Sequence, residues 1–257
     1  MKALYLSSPM DQFEIKPFFG DFLGLIYTPL GFITNMFIYF VIVILMINLL
    51  YIHGGFKSIV NINGWSFITQ SIYFTIYNMV QSQIGLLFGL FYFSFIFVIF
   101  AFILFSNLLG LIPYNFAITA HLVTTLSMSS AIWFGVSIIG IVLHALKFFT
   151  LFSPEGTPLL LVPLLAIIEL ISYIAKGLSL GIRLGANLIS GHLLLLILAG
   201  FGFLALTAAL SIQVIAGPIA LILIIAISGL ELAIAGIQSY VFSILTSSYI
   251  KDSVSLH

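Results

Sequence analysis

Arg183 is a charged residue inside an apolar stretch, 158–199, that is built mostly of Leu, Ile, Ala, Gly and Ser. Its guanidinium keeps its proton in any protein environment, so the charge persists wherever the side chain lies. Placing such a charge at the middle of a membrane costs roughly 2.5–3.5 kcal/mol on insertion scales. A charge retained at this cost is typical of a functional site in a membrane protein.

The residues around Arg183 form two contrasting faces of a predicted helix. Those within about 40° of Arg183 on a helical wheel are Glu169, Lys176, Ser179, Asn187 and Ser190. The opposite side carries His192 and three glycines spaced four apart, which are Gly177, Gly181 and Gly185. A ridge of small residues lets another helix approach closely. We therefore expect the glycines to pack on a neighbouring helix while Arg183 projects the other way.

The last apolar segment, 208–250, carries a second polar series. Glu231, Gln238 and Asp252 are separated by seven residues or a multiple of seven, so they share one side of a helix. The segment follows a short predicted connection at 200–207, and a short connection makes consecutive helices antiparallel neighbours. The sequence therefore predicts a long helical hairpin over 158–250.

Folding this hairpin about residue 210 predicts three polar levels along it. The levels are His192 with Glu231, Arg183 with Gln238, and Glu169 with Asp252. The first level lies towards the hairpin turn and the last towards the opposite side, with the permanent cation between them. Two separate protonatable clusters with a fixed charge between them indicate two half-channels that do not join.

Composition indicates that the elements carrying these residues lie in a membrane. The chain has 257 residues, of which 62% are hydrophobic and only 5% charged, and its mean hydropathy is +1.31. No Lys, Arg, Asp or Glu occurs between Lys57 and Lys147. Backbone groups must pair internally in lipid, so we predict an all-α integral membrane protein. The net charge of zero and the lack of a basic cluster argue against nucleic acid as a partner.

The pattern predicts a single membrane domain with about five membrane-embedded helices and one interfacial amphipathic helix. Its parts are an N-terminal tail at 1–30, a first span at 31–53, the interfacial helix at 65–83, a helical hairpin at 86–148 with spans at 86–109 and 116–148, and the long hairpin at 158–250. Each arm of the long hairpin has about 40 residues, roughly 60 Å as a helix. Because this is about twice the hydrocarbon thickness, we expect both arms to be tilted.

The positions of the few charges predict an orientation. Five crossings place the chain ends on opposite sides of the membrane. With the N-terminus outside, Lys57, Lys147 and Lys251 lie inside, whereas the tail outside has three acids against two lysines. This distribution follows the positive-inside tendency.

Three stretches of the chain resemble subunit a of the F-type ATP synthase, in its fungal mitochondrial form. They are IIELISYIAKGLSLGIRLGANLISGHLLLLILAG, ISGLELAIAGIQSYVFSILTSSYIKD and SSPMDQFEI. Within the first stretch, the pattern RLGAN…GHLL is highly specific, unlike a single intramembrane Arg. In that family the subunit is the stator of a membrane motor and packs beside a ring of small hairpin subunits, each with one carboxyl group.

The resemblance implies a role for each polar residue of the hairpin. It implies that Arg183 is the essential arginine facing the ring. The residues that it implies for the proton path are His192 and Glu231 on the intermembrane-space side, Glu169 and Asp252 on the matrix side, and Asn187 and Gln238 beside the arginine.

The resemblance also implies partners and a location. The partners would be the rotating c-ring, the peripheral stalk, other membrane-sector subunits and the lipid bilayer. The location would be the mitochondrial inner membrane, with the N-terminus towards the intermembrane space and the C-terminus towards the matrix, and relatives allow a short cleaved leader at 1–7. The chain would drive ATP synthesis by rotation without being an enzyme itself, because no phosphate-binding loop motif occurs. We expect neither a cofactor nor a metal, since the chain has no Cys and no paired His at ligand spacing.

Other interpretations of the same residues stay open at this point. A self-contained secondary transporter or a proton-pumping respiratory subunit would also carry intramembrane charges, although the internal repeats typical of transporters are not visible. Arg183 could form a structural ion pair with Glu169 or Glu231. Lys176 could snorkel to the interface or pair with Glu169, and Asp252 could be a solvated carboxylate near the chain end.

Overall fold

The structure is a computed structural model of the chain, and it describes residues 13–16, 34–55, 64–112, 115–152, 161–207 and 211–254. Six α-helices account for most of these ranges, which contain no β-strand. The helices are α1 (Asn35–Gly55), α2 (Gly64–Ile84), α3 (Leu86–Gly110), α4 (Leu122–His144), α5 (Val162–Thr207) and α6 (Ser211–Val254). Short 3-10 helices precede and follow α4, at Ile118–Ala120 and Ala145–Phe152. The prediction of an all-α membrane protein is confirmed.

Five of the described helices are long and apolar enough to cross a membrane. The candidate spans are Asn35–Ile52, Phe88–Gly110, Leu122–His144, Val162–Phe203 and Gly217–Val254. They fall in α1 and α3 to α6 and agree with the predicted number. The helix α2 is not among them, and its location at the membrane interface stays a prediction.

The apolar side chains of α2, which was predicted to be amphipathic, are buried along only part of the helix. Ile76 and Met79 are buried, whereas Trp65 at the beginning of the helix is 66% exposed. The helix ends at Ile84, and the next residue, Gly85, has a φ of +92° in the left-handed region that other residues rarely adopt. This backbone conformation separates α2 from α3.

Two predicted boundaries are wrong. The helix α5 continues through 200–207, which was predicted as the connection, and α6 begins at Ser211. The predicted span 116–148 contains one α-helix only over Leu122–His144, with 3-10 turns on both sides. The predicted leader and most of the N-terminal tail lie outside the described residues.

The chain divides into two compact units, each built from several segments. Unit 1 comprises Met1–Leu49, Phe102–His121 and Gly185–Gln238. Its buried apolar cluster is formed by Val43, Phe116 and Ile118. The parts of α5 and α6 in this unit pack as an antiparallel pair, because a methyl group at Gly202 of α5 would lie 3.4 Å from Ala220 Cβ of α6. The predicted hairpin is therefore observed in this unit.

Unit 2 comprises Leu50–Ala101, Leu122–Leu184 and Ser239–His257. Its fully buried side chains include Ile76, Ile96, Leu180, Phe242 and Ile250. Hydroxyl side chains in α4 and α6 bond to carbonyls one turn back along their own helices, for example Ser129 to Leu126 and Thr246 to Phe242. Such bonds satisfy hydroxyl groups without water, so polar residues are tolerated inside an apolar unit.

Candidate functional site

Arg183 lies on an exposed face of α5. Lys176, Ser179, Asn187 and Ser190 are exposed with it, and their spacing of three, four or seven residues keeps them on one side of the helix. We call these five residues the polar stripe. No carboxylate among the described residues forms an ion pair with Arg183. The ion pair found among these residues joins Lys16 to Glu14. Arg183 and Lys176 therefore do not form the ion pairs with Glu169 that the sequence left open.

The opposite face of α5 packs tightly on α4, as the glycine ridge predicted. A methyl group at Gly177 would lie 2.6 Å from Cγ of Trp133. At Gly181 it would lie 2.7 Å from the backbone oxygen of Thr125. Only glycine permits this separation, and Gly185 is buried on the same face. The close packing fixes the rotation of α5, so the polar stripe is turned outward.

Glu231 of α6 is the most buried carboxylate of the described part of the chain, with 6% of its surface exposed. It lies in unit 1 against Gly191 of α5, where a methyl group would be 2.5 Å from Oε1 and 3.0 Å from Cδ of Glu231. Neither carboxyl oxygen has a hydrogen-bond partner among the described residues. The sequence predicted that Glu231 lies level with His192. The observed contact is with Gly191, which is one residue earlier on α5.

His192 is half-buried in unit 1 and faces α3. A methyl group at Gly110 would lie 3.7 Å from its Nε2, which is buried without a hydrogen-bond partner in the described ranges. The ring of Phe13, from the N-terminal segment, lies edge-on to the imidazole with the centroids 6.2 Å apart. A buried ring nitrogen without a protein partner is suited to accept or donate a proton through water.

Gln238 of α6 lies opposite Asn187 of α5, whereas the sequence predicted that it lies opposite Arg183. The Asn187 side chain donates from Nδ2 to Oε1 of Gln238 over 3.2 Å, and Gln238 is 6% exposed. Asn187 is one helical turn beyond Arg183 on α5, so the observed register differs from the predicted one by about one turn. The two amides link the polar stripe of α5 to the buried face of α6 within unit 1.

Asn107 is a buried polar residue that the sequence reasoning did not select. It is fully buried on α3 of unit 1 and donates from Nδ2 to the backbone oxygen of Ala235 over 3.3 Å. Its Oδ1 and the hydroxyl of Ser106 beside it have no hydrogen-bond partner among the described residues. The polar pair Ser106–Asn107 inside an apolar helix was the feature that could have identified it.

Asp252 lies in unit 2 and lines a small cavity of about 10 Å³ between α4, α5 and α6. The other residues that line it are Trp133, Val136, Phe148, Tyr173, Lys176, Tyr249 and Ser253. The predicted partner of Asp252, Glu169, is not one of them. Glu169 is half-buried on α5, one turn from Tyr173 along the helix. Asp252 thus lines this cavity together with four aromatic residues and a lysine.

Tyr173 and Tyr249, which line this cavity, form hydrogen bonds with residues of α4 and α5. Tyr249 donates its hydroxyl proton to the backbone oxygen of Lys176 over 3.1 Å. The Tyr173 hydroxyl is 2.7 Å from that of Ser137, and the Trp133 indole donates to the backbone oxygen of Tyr173 over 3.1 Å. None of these aromatic residues was selected from the sequence, because tyrosines in an apolar helix are usually packing residues.

Protonatable groups therefore form two clusters. Unit 1 holds His192 and Glu231, and unit 2 holds Asp252 with Tyr173 and Tyr249. His121 lies outside the candidate spans, between α3 and α4, and burial lowers the pKa of its imidazole. No group of three His, Asp or Glu suited to a metal ion occurs in the described ranges.

Comparison with known proteins links this arrangement to one family. A family model described as "ATP synthase A chain" matches residues 34–251. ATP synthase subunit a of Wickerhamomyces canadensis is 47% identical over 260 residues and is covered in full, as is this chain. The protein of the same name from Neurospora crassa is 47% identical, with 97% of this chain and 95% of the relative covered. That of Saccharomyces cerevisiae is 46% identical, with 98% and 97% covered.

Proposed function

The chain belongs to the ATP synthase subunit a family, and from this membership we propose that it is the stator of the proton-translocating membrane sector. With its five apolar spans it is a multi-pass membrane protein of an ATP synthase complex. In the proposed mechanism, two offset half-channels pass protons to and from the carboxylates of a rotating c-ring. Rotation of that ring then drives ATP synthesis, and the ATP chemistry takes place in other subunits.

The observation that carries this proposal is the outward-facing charge of Arg183. An intramembrane guanidinium without a carboxylate partner in the described part of its own chain requires a partner of another kind. A carboxylate on the surface of a neighbouring rotor meets this requirement, since it can approach the polar stripe and then leave again. A self-contained transporter would instead turn such a charge towards its own interior.

The outer half-channel is assigned to the cluster in unit 1. Glu231 and His192 would take up protons, and Asn187 and Gln238 would continue the path to the arginine. Support comes from the buried atoms of Glu231 and His192 that lack protein partners in the described ranges. Buried polar atoms need partners, and water or a transferred proton meets that need.

The inner half-channel is assigned to Asp252 and Glu169. Asp252 already borders a cavity, and Tyr173 and Tyr249 line it as additional hydroxyl groups. Glu169, one turn from Tyr173 along α5, would extend the path along this helix.

Arg183 would separate the two paths by electrostatics. Protonation at the outer side neutralises a rotor carboxylate, and a neutral carboxyl group can turn into lipid at far lower free energy than a charged one. After rotation the carboxyl group loses its proton to the inner path, and Arg183 favours the resulting anion. The membrane potential contributes about 2.3 kcal/mol per charge and 100 mV. The same cation repels protons and so prevents a direct leak between the paths.

We further propose the mitochondrial inner membrane as the location, with the N-terminus towards the intermembrane space and the C-terminus towards the matrix. Support comes from the fungal relatives, all described as subunit a, and from the positions of the lysines. The peripheral stalk and other membrane-sector subunits are the remaining proposed partners, in addition to the c-ring and lipid.

The test of this function is the replacement Arg183→Ala in the assembled complex. We expect proton-driven ATP synthesis to be abolished while the subunit remains in the complex, because the side chain is exposed and contributes no internal packing. Ile182→Ala is the matched control, because Ile182 is also exposed on α5 but lies outside the polar stripe, and this variant should retain normal synthesis. Normal synthesis in Arg183→Ala would refute the proposal.

The outer half-channel is tested by Glu231→Gln, which keeps the shape of the side chain but removes its titratable proton. We expect slower proton entry without uncoupling. The control is Glu14→Gln, because Glu14 is an exposed carboxylate paired with Lys16. Membranes that become leaky to protons would point to a gating role of Glu231 instead.

A further inference from the structure

The N-terminal segment 13–16 is fixed to the beginning of α1 by Asn35. The Asn35 side chain accepts from the backbone N–H of Lys16 over 3.2 Å and donates to the backbone oxygen of Glu14 over 3.1 Å. The backbone N–H of Asn35 donates to the oxygen of Lys16 over 3.1 Å. Three hydrogen bonds across about 20 positions of sequence hold this short segment in a defined place.

Phe13 is the residue of this segment that points into unit 1. It is half-buried, whereas Ile15, which is also apolar, is 48% exposed. The Phe13 ring lies edge-on to two imidazoles, with centroids 6.2 Å from His192 and 6.5 Å from His121. One phenyl ring therefore stands between two protonatable rings.

His121 also contacts a second aromatic residue. Its imidazole lies against Phe116, with the centroids 4.8 Å apart and the planes at 32°. His121 follows the 3-10 turn that leads into α4 and precedes the span that begins at Leu122. His192, in contrast, lies inside the span of α5. The two histidines thus occupy different depths relative to the spans, and Phe13 contacts both.

We propose that Phe13 and His121 form the outer mouth of the proton-entry path, so that the N-terminal segment is one wall of the half-channel. This inference rests on the proposed function of His192 and Glu231. A phenyl ring neither accepts nor donates a conventional hydrogen bond, so Phe13 narrows the opening without fixing the protonation state of either imidazole. Protons that enter beside the ring then pass through His121 before they reach His192.

The absence of cysteine from the sequence allows a direct test. Phe13→Cys is introduced into the full complex in sealed membranes, and a membrane-impermeant cationic methanethiosulfonate is added on the side that the N-terminus faces. We expect the cationic adduct to slow proton-driven ATP synthesis roughly tenfold, which corresponds to about 1.4 kcal/mol. A small neutral adduct at the same cysteine should have little effect, and this difference would not arise from a purely structural role.

Ile15→Cys is the matched control, because it lies in the same segment with its side chain exposed. It should react with the same reagent and leave synthesis unchanged. Full modification of Phe13→Cys without slower synthesis would overturn the proposal. Failure of the reagent to reach this cysteine, while Ile15→Cys reacts, would also overturn it, since an entrance must be accessible to water.

A second variant covers the case in which Phe13→Cys does not assemble. His121→Gln removes the titratable group and keeps a polar side chain, so we expect proton entry to slow several-fold, and an unchanged rate would contradict the proposal. Glu231→Gln in the same membranes separates the two levels of inference. If it slows synthesis while the mouth variants do not, only the mouth is refuted, and if it has no effect, the outer half-channel itself is refuted.

Discussion

The contact between Gly191 and Glu231 makes Gly191→Ala the most informative single substitution. The new methyl group would lie 2.5 Å from Oε1 of Glu231. Ordinary carbon–oxygen contacts are about 3.3–3.6 Å, so the carboxyl group must move by roughly 1 Å. Because the clashing atoms are at the end of a flexible side chain, they can move without separating α5 from α6. The substitution therefore displaces the carboxyl group that is proposed to carry protons and leaves the packing of the helices almost unchanged.

A displacement of about 1 Å in a reacting group can lower a rate about 100-fold, which corresponds to roughly 2.7 kcal/mol of activation free energy. We expect proton-driven ATP synthesis in Gly191→Ala to fall towards this limit, while the amount of assembled complex stays at the wild-type level. The assay is synthesis in inverted membranes under an imposed proton gradient, normalised to the assembled subunit. ATP hydrolysis by the detached catalytic sector gives an independent reference.

Gly229→Ala is the matched control for this prediction. Gly229 is two residues before Glu231 on α6, and a methyl group there meets no atom within 4 Å. Alanine is also the better helix former by about 1 kcal/mol, so this variant should be fully active. The double variant Gly191→Ala with Glu231→Asp tests the geometry further, because the shorter carboxylate makes room for the methyl group and should recover part of the rate. A Gly191→Ala rate close to wild type would refute the assignment of Glu231 to the path.

Three further outcomes follow from the packing and hydrogen bonds of the site. Gly181→Ala places a methyl group 2.7 Å from a backbone oxygen of α4, which cannot move aside, so we expect a loss of about 1–3 kcal/mol in thermal unfolding experiments, whereas Gly135→Ala, with no atom within 4 Å, should be neutral. A double-mutant cycle on Asn187 and Gln238 should give a coupling of about 1 kcal/mol in the rate of ATP synthesis, and additive effects would show that their hydrogen bond has no role. Tyr249→Phe removes one hydrogen bond and keeps the ring, so it should lower stability by about 1 kcal/mol, and an unchanged unfolding temperature would contradict this.

The number and type of the helices could be predicted because lipid leaves so few alternatives. An apolar run of about 20 residues must satisfy its backbone internally, and this requirement makes it a helix. The outward direction of Arg183 followed from the glycine ridge for a similar reason. Gly177 and Gly181 lie at a close contact with α4, and the charge on the opposite face of α5 projects away from that contact.

The predicted connection at 200–207 was wrong because its two glycines lie within a helix. Gly200 and Gly202 were taken as part of a connection, but α5 continues through both and ends at Thr207. Gly202 is buried against Ala220, so it acts as a packing residue in an apolar helix. The register, however, was predicted by folding the hairpin about residue 210, which falls between the end of α5 at Thr207 and the beginning of α6 at Ser211. The misplaced connection therefore does not account for the one-turn difference at Gln238.

The contacts that sequence reasoning missed are those between residues far apart in the chain. Asn107 bonds to Ala235 across 128 positions, and Phe13 meets His192 although neither residue type predicts the other. A hydrophobic period reports which side of a helix is buried but does not report which helix covers it. For this reason the faces of α5 were predictable, whereas the aromatic lining of the Asp252 cavity and the position of the N-terminal segment were not.

The exposure of Arg183 also links assembly to function. A guanidinium at mid-membrane costs roughly 2.5–3.5 kcal/mol when no partner is present. A rotor carboxylate beside the polar stripe would recover part of this free energy, so the isolated chain is less stable in lipid than the assembled one. The recovered free energy must nevertheless stay small, because a strong ion pair would hold the rotor in one position. The polar neighbours of Arg183 on the stripe, Asn187 and Ser190 among them, would keep water near the charge and so weaken the attraction. A fixed cation in a partly hydrated surface therefore satisfies both requirements, whereas a cation buried in a dry pocket would satisfy neither.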